Sequence, residues 1–471
     1  MDRLSLLDAE FLHLEDDCAH LHIGGVCTFA GEPPSFAELR ALVAGKLDRI
    51  PRYRQRVRPV PLELGRPVWV DDPHFRLDYH LRHTALPAPG GDDELCRLVG
   101  RIMGQPLDRH RPLWEVWLVE GLADGQWALV CKVHHCMVDG IAGVGLLTVL
   151  LDLFPDAEVP EPAPWTPRPE PSGAAKVVDA WSGALGDAAR WAARVPEVLG
   201  DPAGTGRSLW ATASGLARFV EHLSFTPPTS VEGPIGPHRT WRHSSASMAD
   251  VAAIRKRFGG TVNDVVLTAV SAGYRALLEA RGEDPDHAVL RSGVPVSVRR
   301  DDGVGAADNR VSTLLYELPV DEADPVARLA RVHAEMADLK ASHMAEAGEL
   351  VTDLGNLAPP VVVGPLSRWA QRLMHQVSQR SVNTVTTNVP GPQFPLYCLG
   401  REMLEYRPYV PISHGVRVGT AILSYNGRLF FGVTGDDATD DAAGIVAEAT
   451  AAEVVRLRRA ARRRGTSVPG A

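Results

Sequence analysis

Twelve residues, Pro160–Pro171 (PEPAPWTPRPEP), constrain this chain more than any other stretch, because six of them are proline. Each proline fixes φ and removes a backbone donor, so neither a helix nor a central strand can run through the segment. It reads as a linker. At 471 residues the chain also exceeds the roughly 250–300 residues at which single cores stop growing. We therefore expect an N-terminal domain at 1–158, a Pro-rich and helical connector at 159–232, and a C-terminal domain at 233–471.

Both outer parts mix strands and helices, an α/β (α+β layered) composition. Trp114–Glu120 and Trp127–Val133 are apolar, β-rich runs either side of Asp124-Gly125, a hairpin signal. Thr420–Tyr425 and Arg428–Thr434 flank Asn426-Gly427 in the same way. The spacing predicts a helix from Val262 to about Ala280, and strands at Val294–Val298 and Val311–Leu318. Ile141–Phe154, ended by Pro155, reads as a buried helix. Within the connector, the periodic runs 177–195 and 209–223 read as helices packed on the domains, with a lipid-facing surface as the alternative.

The balance of 49 basic and 58 acidic residues, net −9, argues against nucleic acid as a partner. Six scattered cysteines fit a reducing compartment rather than a disulfide framework. With neither a secretory signal nor a membrane-spanning run in view, we expect a cytoplasmic protein whose membrane contact, if any, is peripheral. Six arginines between Arg456 and Arg464 form either a solvated tail or a hold on an anionic surface, such as the inner membrane or a lipid inclusion.

The chemistry concentrates in Lys132-Val133-His134-His135-Cys136-Met137-Val138-Asp139-Gly140, where a strand gives way to a helix. Histidine suits the removal of a hydroxyl proton during attack, because its pKa near 6.5 leaves it neutral yet basic at physiological pH. Asp139 can hold the ring directly or lock the corner through a salt bridge, and Gly140 permits the tight turn. Metal ligation by Cys131, His134, His135 and Cys136 lacks a standard paired-ligand spacing, so no metal is expected. Cys136 acting as a nucleophile, and a pair of purely structural histidines, compete with the general-base reading.

HHCMVDG matches the HHxxxDG motif of the acyltransferase superfamily that includes chloramphenicol acetyltransferase and peptide-synthetase condensation domains. Across nearly its whole length the chain resembles the bacterial wax ester synthase/acyl-CoA:diacylglycerol acyltransferase family. The resemblance is carried by LSLLDAEFLHLEDD, by PLDRHRPLWEVWLVEGL with Pro112, Leu113 and Trp114, and by GPIGPHR. It continues through GGTVNDVVL with Asn263 and Asp264, VPVSVR, DNRVST and TNVPGP, in family order.

That resemblance implies two chloramphenicol-acetyltransferase-like lobes with a tunnel between them. Acyl-CoA enters as substrate from one face, and diacylglycerol or a long-chain alcohol from the other; no cofactor is implied. It implies that His135 is the general base, that Asp139 is mainly architectural, and that His134 supports the site. Asn263 is the candidate donor to the developing oxyanion; Thr261, Asn263 and Asp264 capping a helix is the competing reading. Pro112-Leu113-Trp114 shapes the acyl channel or simply begins a strand. A carrier-protein-dependent condensation enzyme, or a non-catalytic lipid-binding relative, remains the alternative function.

Overall fold

The computed structural model describes residues 1–137, 149–183, 226–297, 311–341, 381–439 and 441–463. Its first half runs α1 (Leu6–Leu14), β1 (His22–Phe29), α2 (Phe36–Lys46), β2 (Gln55–Arg58), β3 (Val68–Asp71), α3 (Leu77–His80), β4 (Leu81–Ala85), α4 (Asp92–Met103), β5 (Trp114–Glu120) and β6 (Trp127–His134). The second half supplies β7 (Arg239–Ser247), α5 (Met248–Phe258), α6 (Val262–Ala280), β8 (Leu290–Ser297), β9 (Val311–Leu318) and α7 (Pro325–Ala341). It continues with β10 (Thr384–Val389), β11 (Tyr397–Cys398), β12 (Arg401–Tyr409), β13 (Val418–Tyr425), β14 (Arg428–Asp436) and α8 (Ala442–Arg463).

These strands form two six-stranded sheets, ordered β11-β12-β1-β6-β5-β4 and β7-β14-β13-β10-β8-β9, with β2 and β3 as a separate ribbon. Both predicted hairpins are present, β5/β6 and β13/β14. Their turns place Asp124, Gly125, Asn426 and Gly427 at positive φ, the conformation these residue types tolerate. The helix predicted from Val262 spans Val262–Ala280, opened by a Thr261 cap.

Alternation along β6 buries both faces of the first sheet. Trp127, Leu129, Cys131 and Val133 join one core, which also holds α2 residues such as Leu39 and Val43. Ala128 and Val130 join another, with Leu95, Val99 and Ile102 of α4. In the second half, β13, β14 and helices α5 to α8 enclose a third core.

Two features differ from the sequence reading. β11 and β12, from the later part of the chain, sit in the first sheet, where β12 pairs antiparallel with β1. A period-2 pattern shows that a strand exists but not which neighbour it joins. The helix expected to reach Phe154 is over by Leu150. Asp152 instead bridges to Tyr397, while Lys46 Nζ donates to Leu150 O at 3.1 Å and Asp152 Oδ1 at 2.7 Å, satisfying the carbonyl a further turn would use. Pro160–Pro171 carries no regular structure. Of the connector runs, residues 173–183 are helical, with Ala180 buried and Val178 and Trp181 exposed; the 209–223 run lies outside the described residues. Among the described residues, no helix is long and apolar enough to cross a membrane.

Candidate active site

Histidines 134 and 135 lie where β6 leaves the sheet. His134 is the last ladder residue, opposite His22 of β1. Its backbone N–H donates to Leu113 O, and the His135 N–H donates to Leu21 O, both at 2.9 Å. The corner is thus tied to the strand on either side, and Leu113 of the Pro-Leu-Trp segment supplies one of the two anchors. Trp114 is fully buried, its indole N–H donating to Tyr53 O at 2.8 Å and its ring stacked on His80. Leu113 and Trp114 therefore brace the corner as the start of β5.

Behind the corner sits a carboxylate that the sequence did not single out. Helix α1 starts on a Ser5 cap and ends at Leu14, leaving Glu15 in extended backbone with its side chain turned inward. Glu15 Oε1 accepts from the Leu21 N–H at 2.9 Å, and Oε2 accepts from Arg109 Nη2 at 2.6 Å. Oε1 also lies 3.1 Å from His134 Nε2 and 3.5 Å from His22 Nε2. The His134 contact is an ion-pair distance set off the hydrogen-bond line. Burial pushes the Glu15 carboxyl upward, but His134, His22 and Arg109 outweigh it and hold the group below the usual carboxylate range.

His134 is buried, and its Nδ1 accepts from the Cys136 N–H at 3.1 Å. A neutral ring must then carry its proton on Nε2, facing Glu15. Both His134 nitrogens thus face groups of the corner itself. His135 points elsewhere: it is half-buried, with the Phe11 ring packed on it at 4.0 Å between centroids and 34° between planes. Burial, and secondarily the His134 ring beside it, push its pKa down to about 4. The imidazole is therefore unprotonated throughout the physiological range. Burial also raises the Cys136 thiol well above its ordinary value, which leaves no thiolate for nucleophilic attack. No cluster of metal-ligating side chains occurs among the described residues.

Asp139 and Gly140 lie outside the described residues. In the second half, Thr261 and Asp264 cap α6 reciprocally: Thr261 N–H donates to Asp264 Oδ2 at 2.8 Å, and Asp264 N–H to Thr261 Oγ1 at 3.2 Å. His333 Nδ1 lies 2.8 Å from the same Asp264 oxygen. Asp264 Oδ2 thus serves both the cap and His333. Asn263 is half-buried, and its Oδ1 accepts from Asn388 Nδ2 at 3.3 Å, joining the GGTVNDVVL and TNVPGP segments in space.

Glu15, His22, Phe11 and Arg109 went unremarked in the sequence reading. Phe11 and Glu15 belong to the opening LSLLDAEFLHLEDD segment, and Arg109 to PLDRHRPLW.

The wax ester synthase/diacylglycerol acyltransferase catalytic domain matches residues 4–266, and the C-terminal domain of the same family matches 307–453. A probable diacylglycerol O-acyltransferase of Mycobacterium tuberculosis is 36% identical, over 99% of this chain and 99% of its own length. The structure of the wax ester synthase/diacylglycerol acyltransferase from Marinobacter aquaeolei superposes with a TM-score of 0.68 at 25% identity, covering 98% of this chain and all of that one. The first condensation domain of the calcium-dependent antibiotic synthetase follows at TM-score 0.61 and 15% identity, covering 97% and 96%, and shares the two-lobed fold. The chain belongs to the wax ester synthase/diacylglycerol acyltransferase family and is an acyltransferase.

Proposed function

We propose that the protein moves a long-chain acyl group from acyl-CoA to the hydroxyl of diacylglycerol, giving triacylglycerol, or of a long-chain alcohol, giving a wax ester. The names of the relatives above support the acceptor classes, and the acyl-CoA donor rests on the resemblance carried by the HHCMVDG motif and its companion segments. The observation that carries the role of His135 is an unprotonated, half-buried imidazole at a corner held by two backbone anchors.

In the proposed reaction the acceptor O–H gives its proton to His135 as the oxygen attacks the thioester carbonyl carbon. Nδ1 is buried against the backbone of its own residue and carries the ring proton, so Nε2 is the nitrogen that takes the acceptor's proton. The carbonyl re-forms, the C–S bond breaks, and the thiolate takes the proton back from the imidazolium. Free CoA and the ester leave, and no covalent enzyme intermediate is required. A ring desolvated to this degree holds a proton weakly and returns it readily to the departing thiolate.

The test is CoA release from palmitoyl-CoA with a panel of diacylglycerol and long-chain alcohols. His135→Ala should lower turnover by roughly 10²–10⁴-fold with an unchanged circular dichroism spectrum and melting temperature. A folded His135→Ala protein that turns over normally would end the general-base assignment.

A further inference from the structure

Helix α4 of the first half and strand β7 of the second meet in unusually close contact. A Cβ on Gly100 would stand 2.3 Å from Arg239 O, so only glycine lets the helix lie directly against that backbone. Beside this joint is a cavity of about 490 Å³, within the ~300–1,000 Å³ typical of small-molecule sites. Its walls carry four guanidinium groups, Arg97, Arg101, Arg239 and Arg242, against one carboxylate, Asp437.

The positive charge there is only partly neutralised internally. Arg239 is buried, and its guanidinium donates to the carbonyls of Gly236, His238 and Cys18, which are neutral acceptors; among the described residues no carboxylate ion-pairs with it. Arg101 is exposed and makes no hydrogen bond or ion pair among the described residues. Arg242 reaches Asp441 only at 3.6 Å, and Arg97 alone has a close acidic partner, Glu94. A cavity with a surplus of guanidinium groups selects for phosphate oxygens, which accept two N–H bonds from each fork.

The cavity is also placed to serve the candidate active site. Along β6 and β1, Lys132, His134 and His22 alternate onto the same sheet face as Val130 and Val26, the face against which α4 packs. Lys132 Nζ donates to Ile102 O at 2.8 Å and to Gln105 O, at the edge of the cavity. From the other side, Arg239 holds Cys18 O, three residues before the Leu21 carbonyl that anchors His135.

We propose that this cavity binds the phosphate-bearing adenosine end of the acyl-CoA donor, leaving the uncharged pantetheine arm to run toward His135. The inference rests on the donor reading given under Proposed function. It assigns to Arg101, Arg242 and Arg239 the recognition of phosphate, and to the cavity the choice of a nucleotide-bearing thioester over a simple one.

The test compares palmitoyl-CoA with palmitoyl-pantetheine, which lacks every phosphate, using the full-length protein and its Arg101→Glu and Arg101→Lys variants. The ratio of kcat/KM for the CoA donor to that for the pantetheine donor should fall roughly ten- to a hundredfold in Arg101→Glu and much less in Arg101→Lys. Titration calorimetry with 3′,5′-ADP should show the same loss, whereas inorganic phosphate alone should bind weakly. An unchanged ratio, with wild-type affinity for 3′,5′-ADP, overturns the site while leaving acyl-CoA as donor. A native protein that acylates its acceptor from palmitoyl-pantetheine but not from palmitoyl-CoA overturns the donor reading and this site with it.

Discussion

Truncating Phe11 tests whether packing sets the proton affinity of His135. The Phe11 ring stands 4.0 Å from the imidazole and shields it from water on one side. Burial first, and the neighbouring His134 second, push the ring from the ordinary value of 6.5 down to about 4. At about 1.4 kcal/mol per pH unit, the whole displacement amounts to roughly 3 kcal/mol against the charged ring. The sign follows directly: His135 is the free base above about pH 4, so the acid limb of kcat/KM in the native protein should lie near that value and not at 6.5. Phe11→Ala admits water to one side of the ring, and the limb should rise by about one pH unit, leaving the rate at neutral pH little changed. The measurement is ester formation from radiolabelled acyl-CoA between about pH 4 and 8, with circular dichroism at each pH to confirm that the fold persists. An acid limb at 6.5 in the native protein, or one that Phe11→Ala fails to move, would refute the reasoning.

Two further predictions concern the support behind the corner. Glu15→Gln preserves shape and removes charge; it should cost about 1.5–3 kcal/mol of stability through lost charge-assisted bonds and lower kcat roughly ten- to a hundredfold through misplacement of the corner. Because Glu15 is not among the groups that displace His135, the acid limb should stay where it is, and a shifted limb would show that Glu15 acts on the proton itself. Acid sensitivity of the fold is the second: His80 and His135 are each pushed down to about 4, chiefly by burial. The unfolded chain takes up these protons near 6.5 and the native state only near 4, so stability is full above 6.5 and falls as pH drops between the two values, by at most roughly 3 kcal/mol for each ring. Urea unfolding at about pH 7 and pH 5 checks this, and equal unfolding free energies at the two would contradict it.

Legibility tracked the range of the interactions involved. The β5/β6 hairpin and the α6 helix with its Thr261 cap rest on bonds between residues close in sequence, so patterning and turn chemistry disclosed them. The placement of β12 beside β1 did not show, because an alternating strand specifies which face it buries but not its partner. Glu15 was hidden for a related reason. Nothing local distinguishes it from the solvated acids beside it, and its meaning arises only when Arg109, His22 and His134 are brought to it from three other elements.

The same logic bears on the division of labour between the paired histidines. Adjacent in sequence, they look equivalent, yet strand alternation turns His134 inward, where the Cys136 N–H donates to Nδ1 and the Glu15 carboxylate lies 3.1 Å from Nε2. His135 falls one residue beyond the ladder, where the backbone turns and the ring meets Phe11 instead. One position therefore turns its imidazole toward the corner's own groups, and the next is left unprotonated, as the proposed general base requires. A shift of one residue in the β1/β6 register would exchange those duties, which is why the anchors at Leu21 and Leu113 matter to the chemistry as much as the ring they present.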